Sequence, residues 1–178
     1  MIPSSENFGR ESDDRWAIFD LVARFDDAVN RRDADEFGAL WTEDAIWEVE
    51  APRPMRAVGR VTIVGTWRRM VAATSWLFRG SFAGVLRIDG DRATGRWPCI
   101  ETGVFAATAS AEAQGYDNRS LYEDIYVRHD GRWRVQHRRY LYLWLSSGNL
   151  PGEAVPLGEE IAEDLPRRGS SAGDPAAK

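Results

Sequence analysis

The chain has 178 residues, 43% hydrophobic and 29% charged, which suits one domain with a real core. Its formal net charge of −5 argues against nonspecific nucleic-acid binding, which runs on a basic face, and no apolar run approaches the roughly 18–20 residues that span a bilayer. The only lysine is Lys178, which argues against Schiff-base and pyridoxal-phosphate chemistry; His129, His137 and the single Cys99 make a poor zinc site and allow no intrachain disulfide.

Met1 to Asp14 is polar and acidic, without the basic and apolar blocks of a secretory signal, so a cytoplasmic location is the expectation. Residues 1–12 read as a flexible N-terminus. Asp13 to Arg32 then predicts a helix, with Ile18, Leu21, Val22, Phe25 and Val29 as one apolar stripe. Asp33 and Glu36 have capping-box spacing and start a short second helix carrying Phe37, Leu40 and Trp41. Ala45 to Glu50 alternates like a strand and ends at Pro52 and Pro54. Arg60 to Ala73 predicts a third helix, with Ile63, Val64, Trp67, Met70 and Val71 on one face.

From Trp76 the pattern becomes strand after strand. Trp76 to Ile88 turns at Asp89-Gly90-Asp91 into Arg92 to Phe105, and Ala106 to Asp117 reads as a loop. Arg119 to Arg128 turns at Asp130-Gly131 into Trp133 to Leu145. The predicted domain spans residues 13–147, and 148–178 is a polar tail with a short turn at Glu159 to Leu165. Three helices followed by long antiparallel strands give an α+β fold: a cone-shaped barrel with helices on one face of a strongly curved sheet and a hollow at one end.

Several stretches resemble the NTF2-like superfamily, specifically its SnoaL-like branch. They are LVARFDDAVNRRDADEFGALWTEDAIWEV, GRVTIVGTW, IDGDRATGRW and LYEDIYVRHDGRWRVQHRRY, and the resemblance covers about residues 13–145. It implies the cone fold and a pocket inside it. Members include scytalone dehydratase, ketosteroid isomerase, limonene epoxide hydrolase, polyketide cyclases, bile-acid dehydratase, small subunits of ring-hydroxylating dioxygenases, and proteins without catalysis. The isomerase's general base falls at Val49. The scytalone dehydratase Tyr-Asp pair falls at Val29 and Asn30, its histidines at Trp76 and near Gly103, and its serine and asparagine at Ser120 and Tyr122. Neither mechanism transfers residue by residue.

Strand alternation supplies candidates, because residues two apart share a face. Trp97, Cys99, Glu101 and Gly103 share one. Glu101 stands in an apolar stretch where desolvation would make it a general acid or base; the alternative is a surface glutamate or an arginine partner. Hydrophobicity alone would turn Leu121, Glu123, Ile125 and Val127 inward, whereas the resemblance turns Ser120, Tyr122, Asp124 and Tyr126 toward the pocket. Tyr122 would polarise a carbonyl and Asp124 orient a histidine, or either would be a cross-strand structural partner.

Trp133, Val135, His137 and Arg139 share a face. This offers His137 as proton shuttle and Arg139 as oxyanion stabiliser, with Arg138 facing the other way. Phe25, Val29, Trp47, Val49, Trp76, Phe78, Trp97, Cys99 and Ser120 are expected to line the pocket. Leu121, Ile125, Tyr140 and Tyr142 would leave the outer face apolar and favour a homo-oligomer, dimer or trimer.

The expected function is a lyase or isomerase without cofactor or metal. It would act by proton-transfer-initiated elimination, as a dehydratase does, on a hydrophobic aromatic or polycyclic small molecule. The alternative is a non-catalytic binding module or an oxygenase small subunit. An Asp/Arg/Asp set for epoxide hydrolysis does not assemble from these faces.

Overall fold

The computed structural model describes residues 5–148 and 150. The expected tail beyond these, with its turn at 159–165, and residues 1–4 lie outside the described residues. Three helices precede and interrupt a seven-stranded sheet: α1 (Ser5–Asn30), α2 (Ala34–Ala39) and α3 (Arg60–Ala72). The strands are β1 (Trp41–Val49), β2 (Met55–Val58), β3 (Thr74–Ser81), β4 (Val85–Asp89), β5 (Arg92–Phe105), β6 (Gln114–His129) and β7 (Arg132–Gly148). The order is β2-β1-β7-β6-β5-β3, with β4 also on β5; every pairing is antiparallel except β1 with β7. The α+β architecture of helices on one face of a curved sheet is as expected. Among the described residues no helix is long and apolar enough to cross a membrane.

The helices form where the apolar spacing put them. Ile18, Leu21, Val22, Phe25 and Val29 are all at most 6% exposed and press against the sheet. α1 begins at Ser5, however, eight residues before the expected start at Asp13. This first stretch lacks an apolar stripe, and pairs such as Arg15 with Glu11, one turn apart, leave no hydrophobic signature to read. Asp33 caps α2 by accepting from the Asp35 and Glu36 amides. Glu36 does not reach back as a capping box would; its carboxylate takes Arg24 Nε at 2.6 Å instead.

Three strand expectations change. Trp41 starts β1 rather than ending α2, and it is fully buried. The run from Trp76 to Ile88 is two strands, β3 and β4, broken around Phe82 to Gly84. β6 starts at Gln114, so the expected loop from Ala106 to Asp117 shrinks to residues 106–113. Its small and polar residues hid the alternation that puts Tyr116 and Asn118 inward. The β6–β7 turn behaves as read: Asp130 and Gly131 have φ of 51° and 72°, the two left-handed residues of a type I′ hairpin.

Away from the cavity, β5 and β6 pack their inner faces around Trp97, which is 1% exposed. Trp97 Nε1 donates to the Tyr126 hydroxyl at 2.7 Å, and its ring meets Phe19 edge-on at 5.3 Å. Gly95 leaves room for that indole, since a Cβ there would stand 2.5 Å from Trp97 Nε1. Gly95→Ala is therefore expected to cost about 1–3 kcal/mol of overpacking, read from the urea midpoint.

Candidate active site

A cavity of about 330 Å³ opens at the wide end, between α1, α3 and the inner face of the sheet. Its wall is largely apolar and aromatic, with Phe25, Trp47, Trp67, Leu77 and Phe105 among the lining residues. Arg53, Thr74 and Tyr142 add polar groups to the wall, and one transverse row adds three more. Strand register pairs Arg79 of β3 with Glu101 of β5, and Glu101 with Asn118 of β6. All three side chains line the cavity, joined by Tyr116 and Tyr122 of β6.

Arg79 is the centre of this row and only 2% exposed. Its Nε donates to Asp26 Oδ1 at 2.6 Å, and its Nη1 to the Tyr122 hydroxyl at 2.6 Å. Asp26 also accepts from the Ser81 amide at 2.7 Å, while Asn30 bonds both the amide and the carbonyl of Arg79. Helix α1 thus clamps β3. Burial opposes the guanidinium charge, but Tyr122 and Asp26 hold its pKa well above the ordinary value. The guanidinium also stacks on the Tyr122 and Phe25 rings, at 4.5 and 5.0 Å from their centroids.

Glu101 is the neighbouring carboxyl in the cavity wall. Its Oε2 lies 3.6 Å from Arg79 Nη1, and its Oε1 accepts from the Tyr116 hydroxyl at 3.3 Å. Desolvation pushes its pKa up, and the attraction of Arg79 and the Tyr116 bond offset this only in part. Pairing explains why. Arg79 is already matched by Asp26, and the buried Arg138 is matched by Asp124, leaving Glu101 the surplus carboxyl of the inner face. Burial also pushes the Tyr122 phenol up, so it stays an O–H donor. Since that hydroxyl accepts from Arg79, its own hydrogen is free to meet a ligand oxygen.

The expected pocket residues divide in two. Glu101, Tyr122, Phe25, Val29, Trp47 and Val49 line the cavity. Trp97, Cys99, Ser120 and Asp124 are buried on the inner face but lie away from the cavity wall. Ser120 Oγ donates to the Tyr140 hydroxyl at 2.6 Å, and Asp124 holds Arg138 through two 2.7 Å bonds rather than orienting a histidine.

His137, Arg139, Trp76 and Phe78 are not at the cavity, and two bulges are the reason. In β7 the register shifts between Val135 and His137, so Gln136 is an extra residue and the faces swap. Val135 is inward, but the next inward residues are Arg138 and Tyr140, 1% and 5% exposed. His137 falls outside and meets Glu48 Oε2 at 2.8 Å, a bond that lowers the Glu48 pKa. Arg139 pairs outside with Glu123 and Glu50. The same slip corrects Arg138, expected on the outer face, and carries Tyr140 and Tyr142 inward, leaving Leu121 and Ile125 out. In β3 the shift lies between Thr74 and Trp76: Leu77 and Arg79 turn in, and Phe78, 47% exposed, turns out. His137→Ala is accordingly expected to leave turnover within about twofold of wild type and to cost under about 1 kcal/mol of stability. Steady-state kinetics and a melt on the same variant check both.

Arg79, Asp26, Asn118 and Tyr116 escaped the sequence reading. The signal for Arg79 was a lone charge inside WLFRGS, and that for Asp26 an acid flanked by the apolar stripe of α1. The Asp26–Arg79–Glu101 line also supplies an acid–arginine–acid set that the strand faces alone did not reveal.

No curated protein matches the chain. In fold it is similar to a crystal structure of hexachlorocyclohexane dehydrochlorinase LinA Type2, at 18% identity and a TM-score of 0.72 over 82% of this chain and 96% of that one. LinA-type3 from Novosphingobium barchaimii LL02 gives 18% identity and a TM-score of 0.70 over 82% and 97%. Rv3472 from Mycobacterium tuberculosis, a protein of unknown function, gives 23% identity and 0.64 over 76% and 75%. Residues 10–139 match the family model for the SnoaL-like domain. With the cone fold and this match together, the chain belongs to the SnoaL-like domain family of the NTF2-like superfamily.

Proposed function

We propose that this chain is a lyase or isomerase acting by side-chain acid/base catalysis on a small hydrophobic ring compound. Glu101 carries the proton. One observation supports this above the rest: a surplus carboxyl, its pKa raised by desolvation, faces an aromatic cavity beside a buried arginine and a phenol donor. In this reading the Glu101 carboxylate removes a proton from the carbon next to a ligand carbonyl. Tyr122, held by Arg79, donates to the oxygen on which negative charge develops. The electron pair then expels a leaving group, giving elimination, or is reprotonated elsewhere, giving isomerisation. Arg79, held by Asp26 and bonded to the Tyr122 hydroxyl, acts through Tyr122 and Glu101. The fold neighbour named as a dehydrochlorinase of a ring compound agrees with proton-initiated elimination.

Epoxide hydrolysis is the second reading, favoured by the Asp26–Arg79–Glu101 line. Against it, Asp26 is not among the cavity-lining residues and is fully used by Arg79 and Ser81. The outer sheet face, with Phe78, Phe82 and Val85 exposed, suits a homo-oligomer. The test is a screen of ring ketones, ring alcohols and epoxides by thermal shift, each hit followed for product formation. Conversion by wild type but not by Glu101→Gln is expected. Binding without conversion of any hit would move the chain to the binding-module class, and diol from an epoxide would select the second reading.

A further inference from the structure

Two polar atoms of cavity-lining residues have no partner among the described residues, Trp47 Nε1 and Asn118 Oδ1, and only the second is an acceptor. Asn118 lines the cavity and is 4% exposed, and no donor among the described residues reaches its Oδ1. Its Nδ2 turns away to the Tyr140 hydroxyl at 3.5 Å, a hydroxyl that already receives Ser120 Oγ at 2.6 Å. A buried amide oxygen without a donor is costly and uncommon in a settled core. Its place is also specific: cross-strand register seats Asn118 directly beside Glu101.

We infer that Asn118 is a ligand-binding residue whose Oδ1 accepts a hydrogen bond from a hydroxyl carried by the ring compound, so the site selects phenols and ring alcohols over ethers, halides and plain hydrocarbons. The inference rests on the cavity being the site proposed above. Two complementary fittings then flank Glu101. Tyr122 offers a hydrogen to a ligand oxygen, and Asn118 offers an oxygen to a ligand hydroxyl. An ether oxygen of the same shape cannot answer Asn118 and leaves two acceptors facing each other, the kind of mismatch by which polar sites discriminate most sharply.

The probes are 2-naphthol and 2-methoxynaphthalene, with binding read from the fluorescence of Trp47 and Trp67 in the cavity wall. Wild type is expected to bind 2-naphthol about tenfold tighter. Asn118→Leu is expected to lose that preference while keeping its affinity for the methoxy compound, and Glu101→Gln is expected to keep the preference. The wild-type comparison stands without either variant: equal affinities, tighter binding of the ether, or no binding of either probe overturns the inference. So does a preference that survives in Asn118→Leu. A preference lost in Glu101→Gln but kept in Asn118→Leu gives the hydroxyl to Glu101, overturning this inference and leaving the proposed acid/base role intact. Turnover untouched in Glu101→Gln does the reverse.

Discussion

Glu101→Gln is expected to lower kcat by about 10²–10⁴-fold, the usual contribution of a positioned general acid or base, with a much smaller change in KM. Gln keeps the shape and can still accept from Tyr116, so the loss reports the proton and not the packing. Wild-type activity should rise with pH as the carboxyl ionises, because the ionised form is the base. Burial raises the Glu101 pKa, so that limb should be centred above the ordinary 4.5 of a glutamate and be absent in the variant. Stability moves the other way. A carboxyl whose folded pKa is raised contributes fully below its unfolded pKa, and that contribution is lost as pH rises through the folded pKa. Glu101→Gln should therefore melt higher than wild type at pH 8, with the difference closing toward pH 4. Melting curves across that range decide it, and a variant less stable at pH 8 would show that the carboxylate is comfortable where it stands.

Asp124→Ala should be the most damaging single change in the core. The Asp124 and Arg138 side chains are 0% and 1% accessible and share two 2.7 Å hydrogen bonds. Burial opposes the Arg138 charge and Asp124 offsets that burial; an arginine does not give up its proton in a protein, so the guanidinium remains charged if the partner is removed. Breaking such a pair costs about 3–5 kcal/mol, because an uncompensated charge stays buried. At about 2–4 °C per kcal/mol for a chain of this size, Tm should fall by roughly 6–20 °C. Asp124→Leu with Arg138→Met removes both charges and should lose far less. Equal losses in the single and double variants would mean that packing dominates instead of the charge. The effect should extend to the cavity, because Arg138 stacks on the Tyr122 ring, 4.1 Å from its centroid.

The two errors over site residues have one cause. Alternation assigned His137 and Arg139 to the inner face from Trp133 and Val135, and a single extra residue, Gln136, reversed everything after it. Trp76 and Phe78 moved outward by the same device at the start of β3, and the slip there brought Arg79 in. Neither bulge carries a glycine or another residue type that marks it. Within unbroken stretches alternation held on β5, where Trp97, Cys99 and Glu101 share the inner face; on β6 the hydrophobic pattern pointed the wrong way, and the resemblance had turned Ser120, Tyr122 and Asp124 inward.

By itself the sequence determined what depends on local periodicity and turn chemistry. The stripe from Ile18 to Val29 makes a helix with one buried face, Asp130-Gly131 makes a tight hairpin, and the succession of helices and strands leaves few architectures other than a helix layer on a curved sheet. Only the tertiary structure decided which polar groups meet. Arg79 finds Asp26 across 53 positions of chain and Tyr122 across 43, partners that no local pattern encodes. A face is a local property until a bulge intervenes; desolvation and convergence depend on the whole packed cone, and those two effects turn Glu101 from one acid among many into the candidate base.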